Sequence, residues 1–244
     1  TVLGTRPEII RLSLIIKKLD KLAEKHILVH TGQNFVSSLN HIFFQQLGLR
    51  DPDYVFKNTK RSLGGQLSNM FFELEKILLK EQPDKLLILG DTNSGLSAIL
   101  AERMGIPVFH MEAGNRCFDN NVPEEVNRKL IDAISSFNLP YTRNSRDNLI
   151  REGVHHERIY VTGNPIHEVL NYYMNSIDES SILKKLKLKK KDYMLVTMHR
   201  TENVDHKETL ENMLNGLHDL ATYQQIRMIC SIHARTASKL TTSI

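Results

Sequence analysis

The sequence predicts an α/β protein of two domains, each built on a parallel, doubly wound sheet. Two observations carry that expectation. Short apolar runs alternate with longer amphipathic segments through most of the 244 residues, with short connections between them, as β–α units require. The apolar runs also end repeatedly in polar, glycine-containing loops (Gly4-Thr5-Arg6, Gly32-Gln33, Gly90-Asp91, Glu112-Ala113-Gly114). In an open α/β sheet these loops lie where ligands bind, beyond the carboxyl ends of the strands.

Taken in order, Val2–Gly4 reads as a strand feeding a helix from about Ile9 to Glu24, whose apolar residues Leu12, Ile15, Ile16, Leu19 and Leu22 recur at helical spacing. Pro7 suits the first turn, where a missing N–H costs nothing. A glycine turn opening a helix offers backbone N–H groups to a phosphate, and Arg6 adds a planar cationic fork. Ile27–Val29 reads as a strand and Leu39–Leu47 as a helix stopped by Gly48. Leu63–Lys80 is a long helix ended by Gln82-Pro83-Asp84. Lys85–Leu89 and Pro107–Met111 are strands around a Ser94–Met104 helix. A helix near Glu124–Ile134 and strands at Phe137–Leu139 and Ile159–Val161 follow. The break at Gly163-Asn164-Pro165 divides the chain into residues 1–163 and 164–244. Past it come a strand at Tyr193–Met198, a helix at His206–Tyr223 and a strand at Ile226–Ser231. Two strands are too few for a sheet with its own core, so the second domain reads as incomplete in this chain. Thr1-Val2-Leu3, with no methionine, reads as half a strand.

Apolar residues make up 41% of the chain and charged residues 25%, ordinary for a globular protein. The +4 net charge gathers largely in Lys184–Lys191, which reads as a solvated helix end and loop. The basic residues do not cluster with aromatics, so nucleic acid is not an expected partner. No apolar run approaches a membrane span. Cys117 and Cys230 lie far apart and match no metal spacing, which makes a reducing cytoplasm the default and leaves no metal or other cofactor expected.

Asp91 and Glu112 each follow an apolar strand, so their carboxylates stand at a sheet edge. Asp91 either caps the helix near Ser94 or does acid/base work. Glu124 and Glu125, opening a helix after Pro123, either complement its dipole or join the chemistry. Arg116, Asn127 and Arg128 flank these acids as ligand contacts or salt-bridge partners. His110 reads as a satisfied packing residue. His199 and Arg200 end a strand of the second domain; with Arg6 and Arg11 they would surround a diphosphate if the domains closed face to face.

The ordered set Gly4-Thr5-Arg6-Pro7-Glu8, Thr31-Gly32-Gln33, Gly90-Asp91-Thr92, Glu112-Ala113-Gly114, Pro123-Glu124-Glu125-x-Asn127-Arg128, Thr162-Gly163-Asn164 and His199-Arg200-x-Glu202-Asn203 resembles the non-hydrolysing UDP-N-acetylglucosamine 2-epimerases. The match runs from Thr1 to Ile232-His233-Ala234-Arg235-Thr236. The resemblance implies two Rossmann-like domains of the glycosyltransferase-B type, a UDP-sugar in the interdomain cleft, and a homodimer. It implies elimination of UDP to a 2-acetamidoglucal and re-addition with C2 inverted. Asp91, Glu112 and Glu124 would be the carboxylates of that chemistry and His199 would face the diphosphate, supported by Arg6, Arg11 and Arg200.

Two departures bear on substrate and regulation. Members acting on UDP-N-acetylglucosamine commonly carry lysine where this chain has Arg11, and regulated members carry polar residues where it has Asn34-Phe35-Val36. The second departure predicts hyperbolic kinetics without an activating UDP-sugar. Thr31-Gly32-Gln33-Asn34-Phe35, the Glu112–Asp119 segment and the His199–Asp205 segment look more like a sub-branch making UDP-N-acetyl-L-fucosamine from its talose epimer. A glycosyltransferase of the same fold is the competing reading; three carboxylates around one sugar ring speak against it.

Overall fold

A computed structural model describes residues 1–33, 37–57, 62–198 and 206–232, without side chains at 37–40 and 232. Asn34-Phe35-Val36, residues 199–205 with the candidates His199 and Arg200, and the residues after Ile232 lie outside the described residues. The chain forms two compact units, Thr1–Tyr173 and Met174–Ile244.

In the first unit, β1 (Val2–Leu3), β2 (Val29–His30) and β3 (Tyr54–Val55) form one parallel ladder. A second consists of β4 (Leu86–Leu89), β5 (Val108–Met111) and β6 (Phe137–Leu139). The register pairs Val2 with Val29, Ile88 with His110, and His110 with Asn138. The ladders run β1-β2-β3 and β4-β5-β6, and β1 packs beside β4. Strand order therefore reverses between β1 and β4, the switch point at which doubly wound sheets hold ligands.

Helices cover both faces, and side-chain alternation along the strands divides the core accordingly. Val2 and Ile88 pack with Leu74, Ile77, Leu96 and Ile131. Their neighbours Leu3 and Leu89 pack with Ile9, Leu12, Ile16 and Met111. Helix α1 (Arg6–Leu22) has Pro7 in its first turn, and Glu8 reaches back to the Thr5 N–H at 2.6 Å, half of a capping box. It presents Ile9, Leu12 and Ile16 to the core, each fully buried. Helix α2 spans Ser37–Gln46. Helix α3 (Leu63–Glu81) starts at Ser62, whose Oγ accepts the Gly65 N–H at 3.2 Å, and stops at a left-handed Gln82 before Pro83. A 3-10 turn (Asn93–Leu96) leads into α4 (Ser97–Arg103), and α5 (Pro123–Ile134) has proline at its start.

Three features differ from the sequence expectation. Strand β3 is two residues long, with Tyr54 half-buried and Val55 exposed, too little pattern to read. Helix α6 (Arg143–Arg151) is polar, burying only Ser145 and Leu149, and depends on its Thr142 cap, whose Oγ1 accepts from Ser145 N at 3.1 Å. The Ile159–Val161 run makes a single bridge, Ile159 to Asn138, rather than a strand. Helix α7 (Ile166–Tyr172) stays with the first unit, past the Gly163-Asn164-Pro165 break. The Tyr173 hydroxyl after it donates to Leu47 O at 2.5 Å and accepts from Lys17 Nζ at 3.0 Å.

The second unit begins with two short helices, α8 (Met174–Asp178) and α9 (Ile182–Lys185). Strand β7 (Tyr193–Met198) then pairs in parallel with β8 (Arg227–Ile232), with helix α10 (Lys207–Gln224) between them in sequence. Met198 and Leu210 are its buried apolar pair.

His30 is buried at the end of β2. Its Nδ1 accepts the Gly32 N–H at 3.0 Å, and its Nε2 has no partner. Burial lowers its pKa to about 4, so the fold holds the ring neutral. The neutral ring supports the fold fully above the unfolded value of 6.5, and that support is lost as pH falls to about 4. Melting temperatures measured from pH 7 to 4.5 should therefore fall less steeply in His30→Gln than in the parent.

Candidate active site

The loops after β1, β4 and β5 meet at the switch point. Glu8, on α1, is buried there. One carboxylate oxygen accepts the Gly4 and Thr5 N–H groups at 3.0 and 2.6 Å; the other accepts Thr92 Oγ1 at 3.1 Å and Ser94 Oγ. One helical turn further along, Arg11 forms an ion pair through Nη1 with Glu112 Oε2. Glu112 follows β5 in left-handed backbone conformation, with φ +66°. For a residue with a side chain this costs on the order of 1 kcal/mol or more and concentrates at functional sites. Its amide donates to Leu139 O at 3.2 Å, and its Oε1 faces Asn115 Nδ2 at 3.4 Å. Gly90 packs tightly here, since a methyl placed on its Cα would lie 3.3 Å from Glu112 Oε2.

Burial raises the Glu112 pKa; the Arg11 guanidinium opposes this and the Asp91 charge adds to it. The net direction is upward, which suits a carboxyl that must take and return a proton near neutrality. Asp91 is bound differently. Arg128 places Nε and Nη2 on its Oδ2, both at 2.7 Å, and Asn127 Nδ2 donates to its backbone oxygen at 2.9 Å. The following 3-10 turn is capped at Thr92, so Asp91 is no helix cap. Two carboxylates near one another thus have distinct environments, the arrangement that separates acid from base roles.

Of the acidic pair opening α5, Glu125 turns inward and Glu124 stays exposed. Glu125 accepts the Cys117 and Phe118 N–H groups, each at 3.1 Å, and Arg128 Nη1 at 2.9 Å. Burial opposes its ionisation, but these donors win and hold its pKa at about 2. Arg116 proves to be a salt-bridge partner: Nη1 lies 2.8 Å from Asp132 Oδ2, and Nε donates to Glu152 Oε1 at 2.8 Å. Arg6 is exposed, its guanidinium 5.8 Å from the Phe43 ring centroid.

The structure therefore brings together Asp91, Glu112, Arg11 and the flanking Arg128, and adds Glu8 and Tyr141. The Tyr141 hydroxyl is buried beside Arg11 and Glu112; burial and the neighbouring Glu112 charge push its pKa up, and the Arg11 guanidinium opposes them. The 125/128/132 spacing of Glu125, Arg128 and Asp132 on one helix face could have signalled the inward polar set on α5. No pattern in the sequence announces Tyr141. A cavity of about 990 Å³ lies elsewhere, at the amino-terminal edge of the strands; among its lining are Val2, Leu19, Leu78, Leu86 and Phe109, and it includes neither carboxylate.

Fold and site together define a doubly wound α/β protein with differently tuned carboxylates and arginines at its switch point. The model of the UDP-N-acetylglucosamine 2-epimerase family matches residues 17–244, and the chain belongs to that family. It is 40% identical over 243 residues to the UDP-N-acetylglucosamine 2-epimerase of Methanocaldococcus jannaschii, covering 98% of this chain and 66% of that protein. A crystal structure of UDP-GlcNAc 2-epimerase from the same organism, in complex with UDP-GlcNAc and UDP, aligns over 99% of this chain and 67% of its own, with TM-score 0.91 and 40% identity. The Rickettsia bellii UDP-N-acetylglucosamine 2-epimerase structure aligns with TM-score 0.89 and 44% identity over 98% of this chain and 63% of its own. A Pseudomonas aeruginosa UDP-2,3-diacetamido-2,3-dideoxy-D-glucuronate 2-epimerase is 32% identical over 97% of this chain and 66% of that protein. The chain thus spans about two thirds of the length of these curated relatives.

Glu125 supplies a pH signature. A depressed carboxyl pKa stabilises the fold above the unfolded value of 4.5, and that contribution is lost as pH falls toward about 2. Glu125→Gln leaves two backbone donors and Arg128 poorly matched. Urea unfolding at pH 7 should show a loss of roughly 2–3 kcal/mol, with a shallower decline in stability below pH 4.5 than in the parent.

Proposed function

We propose that this protein inverts C2 of a UDP-2-acetamido sugar by eliminating UDP and adding it back. The observation that carries the reading is Glu112, a half-buried carboxyl with a raised pKa, paired with Arg11 and beside Asp91 at the switch point. A general base removes the C2 proton as the C1–O bond breaks and UDP departs with the bonding pair, leaving a C1–C2 double bond. UDP then adds back at C1 while a second group protonates C2 from the opposite face. Groups on both faces are needed, and Glu112, Asp91 and Glu124 are the carboxyls assigned to that work. Negative charge developing on UDP calls for cationic donors, the role assigned to Arg6, Arg11, His199 and Arg200. UDP-N-acetylglucosamine is the sugar named for the M. jannaschii and R. bellii relatives, which favours it over the 6-deoxy-talose substrate of the L-fucosamine sub-branch. We assign a homodimer working in the cytoplasm, in keeping with two unpaired cysteines; among the described residues no helix is long and apolar enough to cross a membrane.

Deuterium incorporation at C2 in D2O, with no acceptor present, tests the chemistry and separates it from glycosyl transfer. Glu112→Gln keeps the shape but cannot carry the proton, so exchange should slow by roughly a hundredfold with UDP affinity nearly unchanged. Because the base must be ionised, the acid limb of the parent's pH–rate profile should have its midpoint above the ordinary glutamate value of 4.5. Near-full exchange in the variant would remove Glu112 from the mechanism. Calorimetry with UDP checks the anion site: Arg6→Ala and His199→Ala should each weaken binding about tenfold or more, since a hydrogen bond to a charged group contributes roughly 1.5–3 kcal/mol.

A further inference from the structure

His110 and Asp132 are both buried and take no part in the chemistry assigned above. Their contacts nevertheless reach both carboxylate loops. His110 Nε2 lies 3.0 Å from Gly90 O, the peptide that leads directly into Asp91. Its Nδ1 lies 2.9 Å from Asp132 Oδ1, a close charge contact whose angles fall outside hydrogen-bond geometry. The other oxygen of Asp132 accepts the Gly114 N–H at 3.0 Å, two residues past Glu112, and faces Arg116 Nη1 at 2.8 Å. One side-chain pair thus spans from the backbone beside Asp91 to the backbone beside Glu112.

That span matters because the two loops have little slack. Gly90 and Glu112 both have left-handed backbone, at φ +77° and +66°, and Gly90 packs directly on the Glu112 carboxylate. On the far side Gly114, at φ +75°, is pressed against Ser145, where a methyl group would come within 2.1 Å of the Ser145 carbonyl oxygen. A shift in either loop changes the separation of Asp91 and Glu112. Reactions that hand a proton between two faces of one carbon depend steeply on that separation.

We propose that His110 and Asp132 are one positioning unit, setting the distance between Asp91 and Glu112 for the epimerisation without touching substrate. The inference rests on the function proposed above. A merely structural ion pair would lower stability and UDP affinity together with activity; a positioning unit acts on turnover.

The test uses His110→Gln, which can still donate to Gly90 O, and Asp132→Asn, which can still accept from Gly114 N–H, at a temperature where each is folded by circular dichroism. Each should lose ten- to a hundredfold in kcat for C2 inversion, with KM and the UDP dissociation constant within about twofold of the parent. The double variant should be no worse than the poorer single, as for residues acting as a unit. Unchanged kcat in folded variants, multiplying losses, or UDP affinity falling in step with kcat would overturn the proposal. A second measurement is independent of activity. The amides of Gly90 and Glu112 donate to Met111 O and Leu139 O, not to either member of the pair. Their hydrogen exchange should accelerate in each variant relative to the Ile88 amide, and equal protection would refute positioning. If the parent itself fails to exchange C2 deuterium, the proposed function fails while the exchange result still decides the loop coupling.

Discussion

The buried Glu8 carboxylate is the contact on which the site depends. Its four donors come from the loop after β1 and the loop after β4, where the two strand ladders meet side by side. Removing such a group from water is costly unless its lone pairs are filled, and here each oxygen accepts two donors. Burial still raises its pKa, with the hydrogen bonds acting in the opposite direction. The same residue fixes the first turn of α1, and that turn sets where Arg11 arrives. Arg11, one turn further along the same helix, pairs with Glu112.

From that anchor the acids of the site divide by environment rather than by residue type. Asp91 is clamped by Arg128. Glu125 is held ionised by two backbone N–H groups and the same arginine, and it shapes the turn at Cys117-Phe118. Glu112 pairs with Arg11 and has a pKa that burial carries upward. Three carboxyl groups thus sit in three environments: Asp91 clamped by an arginine, Glu125 held ionised by backbone donors, and Glu112 shifted upward by burial, the kind of difference that lets carboxylates in one site act differently. Arg128 bridges two of them, so the conformation of the loop before α5 and the orientation of Asp91 are coupled.

Much of this was legible in the residues. The alternation of apolar runs and amphipathic segments determined the β–α order, because strand and helix periodicities differ and both faces of the sheet are buried. The ordered motifs at the strand ends determined the family and named Asp91, Glu112, Glu124, His199, Arg6, Arg11 and Arg200 as candidates, of which Asp91, Glu112 and Arg11 lie together at the switch point. Glycine at 90 and 114 marked turns that no other residue enters cheaply.

Only the tertiary structure decided the rest. Strand order, and with it the switch point, depends on which ladders pair across long sequence separations. That Glu125 rather than Glu124 turns inward follows from the docking of α5, since both suit a first helical turn equally. Helix α6 buries too little to leave a periodic signal, yet its Ser145 and Asn148 brace the loop that holds Glu112. His110 and Asp132 are 22 residues apart, a packing histidine and a helical aspartate as far as sequence can say, until folding places them 2.9 Å apart. Local sequence determines what each segment can become; which charges then meet in the dry interior is determined by packing.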